Sequence, residues 1–132
     1  MAKTKILLVD DEEDYILVMK TLLSANNYEV ATASDGVECM QKALKENFDL
    51  ILLDIKMPIK DGFTTLKALK LNHITSGVPV VVITVSQHTS AMSECLKLGA
   101  RDFLPKTLDS QEILKYIKKY ASESPGKSTT LA

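Results

Sequence analysis

Cysteine and histidine are too few and too scattered in this chain to build a metal site. The 132 residues hold two cysteines, Cys39 and Cys95, and two histidines, His73 and His88. None lies at the short spacing that zinc ligands need, and no C-x-x-C pair offers redox chemistry. Free cysteine is among the most buried residue types, so Cys39 and Cys95 are expected as small core residues on helices. His73 and His88 read as ordinary loop or helix-start residues. Long apolar runs are also missing, and none would serve as a signal peptide or a membrane span. Neither sign of charge prevails: 16 Lys and Arg against 17 Asp and Glu leave a formal net charge of −1. That balance gives no broad electrostatic footprint for nucleic acid. The expected setting is cytoplasmic, with no direct nucleic-acid partner and no membrane contact.

What is present is a composition of 45% hydrophobic and 25% charged residues, at the length of one compact domain. Short apolar runs alternate with amphipathic stretches. Strands are expected at about Lys5–Asp10, Tyr28–Ala33, Asp49–Asp54, Pro79–Thr84 and Arg101–Leu104. Their apolar continuity reads as burial on both faces, the mark of a parallel sheet. A first helix is expected from about Glu12 to Asn26, with Tyr15, Val18, Met19, Leu22 and Leu23 as its inward stripe. Ser34-Asp35-Gly36 signals a turn or cap. Val37, Met40 and Leu44 then stripe a second helix. Pro58 and Gly62 break Ile55–Gly62. A third helix fits Thr64–Leu71, with Leu66 and Leu69 inward. The fourth fits Thr89–Leu98, closed by Gly99 at the position after its C-cap. The fifth fits Ser110–Ala121, with Ile113 and Ile117 inward. Pro79 opens its strand, and Pro105 suggests that the fifth strand lies at a sheet edge. Five β-α units imply a doubly wound α/β fold with right-handed crossovers. Residues 1–121 form the domain, and 122–132, polar and aperiodic, read as a flexible tail or linker stub.

The strand ends carry the chemistry. In open α/β folds, ligands bind at the carboxyl ends of the strands. Leu50-Ile51-Leu52-Leu53 ends in Asp54. Ile6-Leu7-Leu8-Val9 ends in Asp10-Asp11, Val80-Val81-Val82-Ile83 in Thr84, and Phe103-Leu104 leads to Lys106. In a parallel sheet all of them reach one rim. A lone Asp at a strand end is commonly a helix cap or turn residue; what sets Asp54 apart is this company. Asp35 and Asp61 read as turn residues. Glu12-Glu13-Asp14 reads as a solvated first helical turn, where acids suit the dipole.

Converging carboxylates repel one another, and a hard divalent cation relieves that repulsion. Mg2+ takes oxygen ligands and keeps several waters. A carboxylate can also act as a nucleophile and become an aspartyl-phosphate. Asp54 is the candidate acceptor, with Thr84 as a hydroxyl donor and Lys106 as a point charge for phosphate oxygens.

The residues that carry this chemistry resemble those of a receiver domain of two-component response regulators, the CheY-like family. The resemblance covers about Lys5 to Ala121. It rests on Leu-Leu-Val-Asp-Asp at 7–11, Leu-Asp-Ile-Lys-Met-Pro-Ile-Lys-Asp-Gly at 53–62, Val-Ile-Thr at 82–84 and Gly-Ala-Arg-Asp-Phe-Leu-Pro-Lys at 99–106. It implies a flavodoxin-like sheet of order 2-1-3-4-5. It implies that Asp54 accepts a phosphoryl group from a sensor histidine kinase or phosphotransfer protein. Asp10, Asp11, Asp54 and the Lys56 backbone carbonyl would hold Mg2+, and Lys106 would contact the phosphate. Thr84 and Phe103 would be the switch pair, the ring turning inward as the hydroxyl moves to the phosphate. Lys56, Val85 and Ser86 would tune phosphate lifetime.

The readout would fall on the face of the fourth helix, fifth strand and fifth helix. Met92, Lys97, Tyr116 and Lys119 on that face leave open a downstream effector protein, a missing output domain or a phosphorylation-dependent dimer. No enzyme activity is expected beyond autocatalytic phosphoryl acceptance and self-dephosphorylation. Two departures from the family stand out. Thr107, rather than Pro, follows Lys106, which disfavours a cis bond there by about 2.5–4 kcal/mol. Val85 is bulkier than the usual small residue. A phosphatase of the haloacid-dehalogenase type would need an Asp where Lys56 stands. A flavin carrier would not place Asp-Asp-Glu-Glu-Asp against a bare phosphate. A phosphate-independent binding module of the same fold is the remaining alternative.

Overall fold

Five strands and five helices alternate along the chain in a computed structural model that describes residues 3–56, 61–85 and 89–123. In chain order they are β1 (Lys5–Val9), α1 (Glu13–Ala25), β2 (Glu29–Ala33), α2 (Gly36–Lys45), β3 (Leu50–Leu53), α3 (Gly62–Leu71), β4 (Val80–Thr84), α4 (Thr89–Lys97), β5 (Asp102–Pro105) and α5 (Ser110–Ala121). The sheet is parallel throughout, in the order β2-β1-β3-β4-β5. The expected doubly wound, flavodoxin-like architecture is therefore the observed one. Pro105 ends β5, an edge strand that pairs only with β4, where its missing N–H leaves no central ladder broken.

Strand periodicity sorts the core into two layers, because successive side chains leave opposite faces. Leu7, Val9, Ile51, Leu53, Val80, Val82 and Phe103 pack with Cys39 and Ala43 of α2, Leu66 and Leu69 of α3 and Cys95 of α4. Ile6, Leu8, Leu50, Leu52, Val81, Ile83 and Leu104 pack with Met19 and Leu23 of α1 and with Ile113 and Ile117 of α5. Truncating one such side chain to Ala costs about 2–5 kcal/mol. Cys39 and Cys95 are buried, as expected, and do not form a disulfide with each other.

Local signals set the helix ends. Asp35, Asp61 and Asp109 cap α2, α3 and α5, each carboxylate accepting from the backbone N–H three residues on. Gly99, at φ 107°, closes α4: its N–H donates to Leu96 O, and that of Ala100 to Cys95 O. Asn27, at φ 70°, closes α1 in the same double-bonded way through Ser24 O and Leu23 O.

Two helices differ from their expected stripes. On α1, Val18 is 61% exposed, and the half-buried Ile16 takes the inward place. On α2, Val37 and Leu44 are 46% and 42% exposed, while Gly36, Cys39 and Ala43 are buried. Small residues there let the helix approach the sheet closely, and hydrophobicity alone does not record that. Past α5 the chain stays bonded to the domain for two residues. Ser122 N–H donates to Lys118 O, and Glu123 pairs with Arg101 across 2.5 Å. Residues 124–132 of the expected tail lie outside the described residues.

Candidate functional site

Asp10 directly follows β1 and Asp54 directly follows β3, and the two strands are paired through Val9 and Leu53. Their carboxylates therefore emerge side by side. Backbone bonds fix both positions: Asp10 N–H donates to Ala33 O, and Asp54 N–H to Val9 O, each at 3.0 Å. Thr84 ends β4 opposite Pro105, and Lys106 N–H donates to Thr84 O at 3.1 Å. The rim expected from the sequence thus exists.

Asp10 and Asp54 are 1% and 3% exposed, so burial disfavours their charge unless partners offset it. Lys106 provides the offset. Its ammonium lies 2.8 Å from Asp10 Oδ2 and 3.0 Å from Asp54 Oδ2, and it also pairs with Glu12 Oε1. Thr84 Oγ1 donates to Asp54 Oδ1 at 2.9 Å, and the Lys56 backbone N–H donates to the same oxygen at 2.9 Å. The Glu12 N–H donates to Asp10 Oδ1 at 2.9 Å. Burial, joined by the Asp54 charge, holds the Asp10 carboxyl above its usual range despite the opposing bonds from Lys106 and Glu12. Burial works to lower the Lys106 pKa, but its bonds to Asp10, Glu12 and Asp54 outweigh that and raise it well above an ordinary lysine.

Carboxylate oxygens of Asp10, Glu12 and Asp54 lie within 4.8 Å of one another. Glu12, expected as a solvated first-turn residue, joins the site as the N-cap position of α1. Asp11, expected as a ligand, is exposed and stands outside that group. No sequence period singles out Glu12 among five successive acids from 10 to 14; only its reach to Lys106 does. An all-oxygen donor set with one ammonium among the acids fits a hard divalent cation. Asp10, Glu12 and Asp54 are the residues placed to hold it.

Tyr15, expected on the inward stripe of the first helix, reaches the site as well as the core. Its ring lies under the Lys106 ammonium, 4.5 Å from Nζ to the centroid. Phe103 is 6% exposed and packs in the α2–α4 layer. Val82 faces Phe103 across the β4–β5 pair, so Thr84, two residues on, shares its face of the sheet. Val85 is 56% exposed and Lys56 is exposed. Ser86 lies outside the described residues. The Lys106–Thr107 bond is trans, in keeping with the absence of Pro after Lys106. Among the described residues no helix is long and apolar enough to cross a membrane.

The chain resembles known proteins over nearly its whole length. It is 36% identical over 129 residues to the transcriptional regulatory protein CpxR homolog of Haemophilus influenzae, covering 98% of this chain and 55% of that protein. It is 41% identical over 105 residues to the response regulator PleD of Caulobacter vibrioides, covering 80% of this chain and 23% of that protein. The chain therefore spans about half or less of these relatives. Among solved structures, chemotaxis protein CheY4 of Vibrio cholerae superposes with a TM-score of 0.85 at 31% identity, covering 90% of this chain and 99% of that one. The receiver domain of sensor histidine kinase PA1611 from Pseudomonas aeruginosa PAO1 was solved with a magnesium ion coordinated in its active site cleft. It superposes with a TM-score of 0.85 at 25% identity, covering 92% of this chain and 99% of that one. The family model described as the response regulator receiver domain matches residues 6–118, and the chain belongs to that family.

Proposed function

We propose that this protein is a phosphorylation-controlled switch whose phosphoryl acceptor is Asp54. One observation carries the reading: a buried carboxylate at the rim is met at once by the Thr84 hydroxyl at 2.9 Å and the Lys106 ammonium at 3.0 Å. A carboxylate oxygen of Asp54 attacks the phosphorus of a phosphohistidine on a sensor kinase or phosphotransfer protein. The P–N bond breaks, its electron pair goes to the imidazole nitrogen, and that nitrogen takes up a proton. Lys106 then meets a phosphoryl oxygen with its charge, and Thr84 another with its hydroxyl. Bound Mg2+ supplies charge neutralisation between the acids and the phosphoryl oxygens. Asp10, Glu12 and Asp54 offer carboxylate oxygens to it, and Asp11 and the Lys56 carbonyl complete the set that family membership implies.

Phosphoryl acceptance and self-dephosphorylation are the only catalysis in this reading. The signal leaves through Thr84 and Phe103, which share a sheet face beside α4. A local charge change thereby biases a packed element. The receiver is the α4–β5–α5 surface, acting on an effector protein, an output domain or a second copy, in the cytoplasm. Lys56 next to the site slows loss of phosphate. The test is incubation with Mg2+ and a small phosphodonor such as acetyl phosphate, followed by intact mass. One added phosphoryl group supports the reading. No addition, from the small donor or the cognate kinase, leaves a phosphate-independent binding module of the same fold.

A further inference from the structure

Among the described residues, three carboxylates meet the Lys106 ammonium, those of Asp10, Glu12 and Asp54, and a fourth group stands beside them. The fourth is the ring of Tyr15, 4.5 Å from Nζ. We infer that Tyr15 is a positioning residue, whose ring face holds the ammonium in place when the carboxylates turn to a divalent cation. The inference rests on the proposed function, since it assigns Lys106 a position that must survive metal binding.

The distinction between the ring and the acids is chemical. The acids that hold Lys106 are those placed to hold the cation. They cannot serve both positive charges at full strength. An aromatic face attracts an ammonium through its quadrupole and is a poor ligand for a hard divalent ion. Among the described partners of Lys106, its hold is thus the one that metal binding leaves untouched. A second observation points the same way. The Tyr15 hydroxyl is buried with no hydrogen-bond partner among the described residues. A phenol in that condition gains nothing from its oxygen, and an orphaned buried hydroxyl is a cost. The ring is what the site uses. The position is also fixed from below, because Tyr15 packs at the top of the α1–α5 layer, four residues before the buried Met19.

The test compares wild type with Tyr15→Phe and Tyr15→Leu. Phe keeps the aromatic face and removes the orphan hydroxyl. Leu keeps an apolar side chain that packs on the same layer. The first readout is the NMR ring-current shift on the Lys106 ε-methylene protons, without and with Mg2+. It is expected in wild type and Tyr15→Phe, to persist when Mg2+ is added, and to vanish in Tyr15→Leu. The second is the rate of labelling by acetyl phosphate, expected to be unchanged in Tyr15→Phe and about tenfold slower in Tyr15→Leu. Loss of the ring shift on adding Mg2+ to wild type overturns the inference. So does slowing in Tyr15→Phe equal to that in Tyr15→Leu, which would assign the effect to the hydroxyl. Wild type that keeps its Mg2+-resistant ring shift but takes no phosphoryl group refutes the proposed function and leaves the contact standing.

Discussion

The Thr84 hydroxyl donates to Asp54 across 2.9 Å, from the end of the strand next to the one Asp54 terminates. The bond is buried, and Phe103 is buried on the Thr84 face of the sheet. The Thr84 hydroxyl is thus engaged with the Asp54 carboxylate while the Phe103 ring is buried. A phenylalanine has no hydroxyl to keep in solvent, so burial of its ring carries no polar cost. Thr84→Val removes the donor at nearly constant volume. It is expected to cost about 1.5–3 kcal/mol, the range for a hydrogen bond to a charged group. It should still label with acetyl phosphate, but the Phe103 ring resonances should no longer respond to labelling. Denaturation midpoints and NMR check both parts.

Lys106 is the counter-charge of the rim, 94% buried at its side chain. Lys106→Met leaves Asp10 and Asp54 adjacent and unpaired. The expected loss at neutral pH is about 3–5 kcal/mol, as for a buried pair broken on one side. The sign with pH follows from Asp10, whose carboxyl is held above its usual range by burial and by the Asp54 charge and loses an opposing bond with Lys106. Folding is then favoured by protonation of Asp10, and the variant should recover stability as pH falls through that raised value. Mg2+ should also restore it, by replacing the missing charge. Urea denaturation with and without Mg2+ at two pH values checks this; a loss indifferent to both would mean that packing, not charge, was removed.

Gly62 sits against the backbone that follows the acceptor. A Cβ there would lie 2.1 Å from Ile55 Cα and 2.8 Å from the Asp54 carbonyl oxygen. Backbone cannot yield as a flexible side chain does, so Gly62→Ala must move the turn after β3. The expected cost is roughly 3 kcal/mol or more, with slower labelling of Asp54. Thermal melts and the labelling time course measure the two effects. An alanine variant with wild-type stability would show that the loop does not pack as described.

Alkaline pH should unfold the protein through groups far apart in the fold. Burial and the Asp102 carboxylate, which accepts from the Tyr120 hydroxyl at 2.6 Å, push Tyr120 up to about 12. Burial pushes Tyr15 up to about 12 against the pull of Lys106. For each, the folded pKa exceeds the ordinary tyrosine value of 10.0. Their stability is fully present below that value and is lost as pH rises through the folded one. Lys106, raised by its carboxylates, acts in the same direction above 10.5. Denaturant midpoints should hold level to about pH 10 and fall steeply beyond it. A level midpoint to about pH 12, or Tyr120 titrating normally by ultraviolet absorbance, would contradict the assignment.

The strand ends were legible because buried parallel strands are continuous apolar runs, and a charged residue ending one must face the rim. Asp10, Asp54, Thr84 and Lys106 followed from that rule, and the sheet order came with the family resemblance. Glu12 and Tyr15 were not legible. One was hidden in a run of acids that a helix dipole explains equally well. The other fell on a helical stripe where an aromatic ring reads as core. Both are recruited by the reach of Lys106, a long-range contact with no local pattern. Val37 and Leu44 failed for the opposite reason: their hydrophobicity marks a face, but the face of α2 that is buried carries the small residues Gly36, Cys39 and Ala43.

Assignment of the phosphoryl group to Asp54 can be read from the chemistry of its acyl phosphate. Wild type and Asp54→Asn are incubated with Mg2+ and acetyl phosphate. The product is reduced with borohydride, which converts an aspartyl-phosphate to homoserine, and mapped by peptide mass spectrometry. Homoserine is expected at position 54 in wild type, with no labelling of Asp54→Asn. Homoserine at Asp10 or Asp11 instead, or labelling that persists in Asp54→Asn, would contradict the assignment.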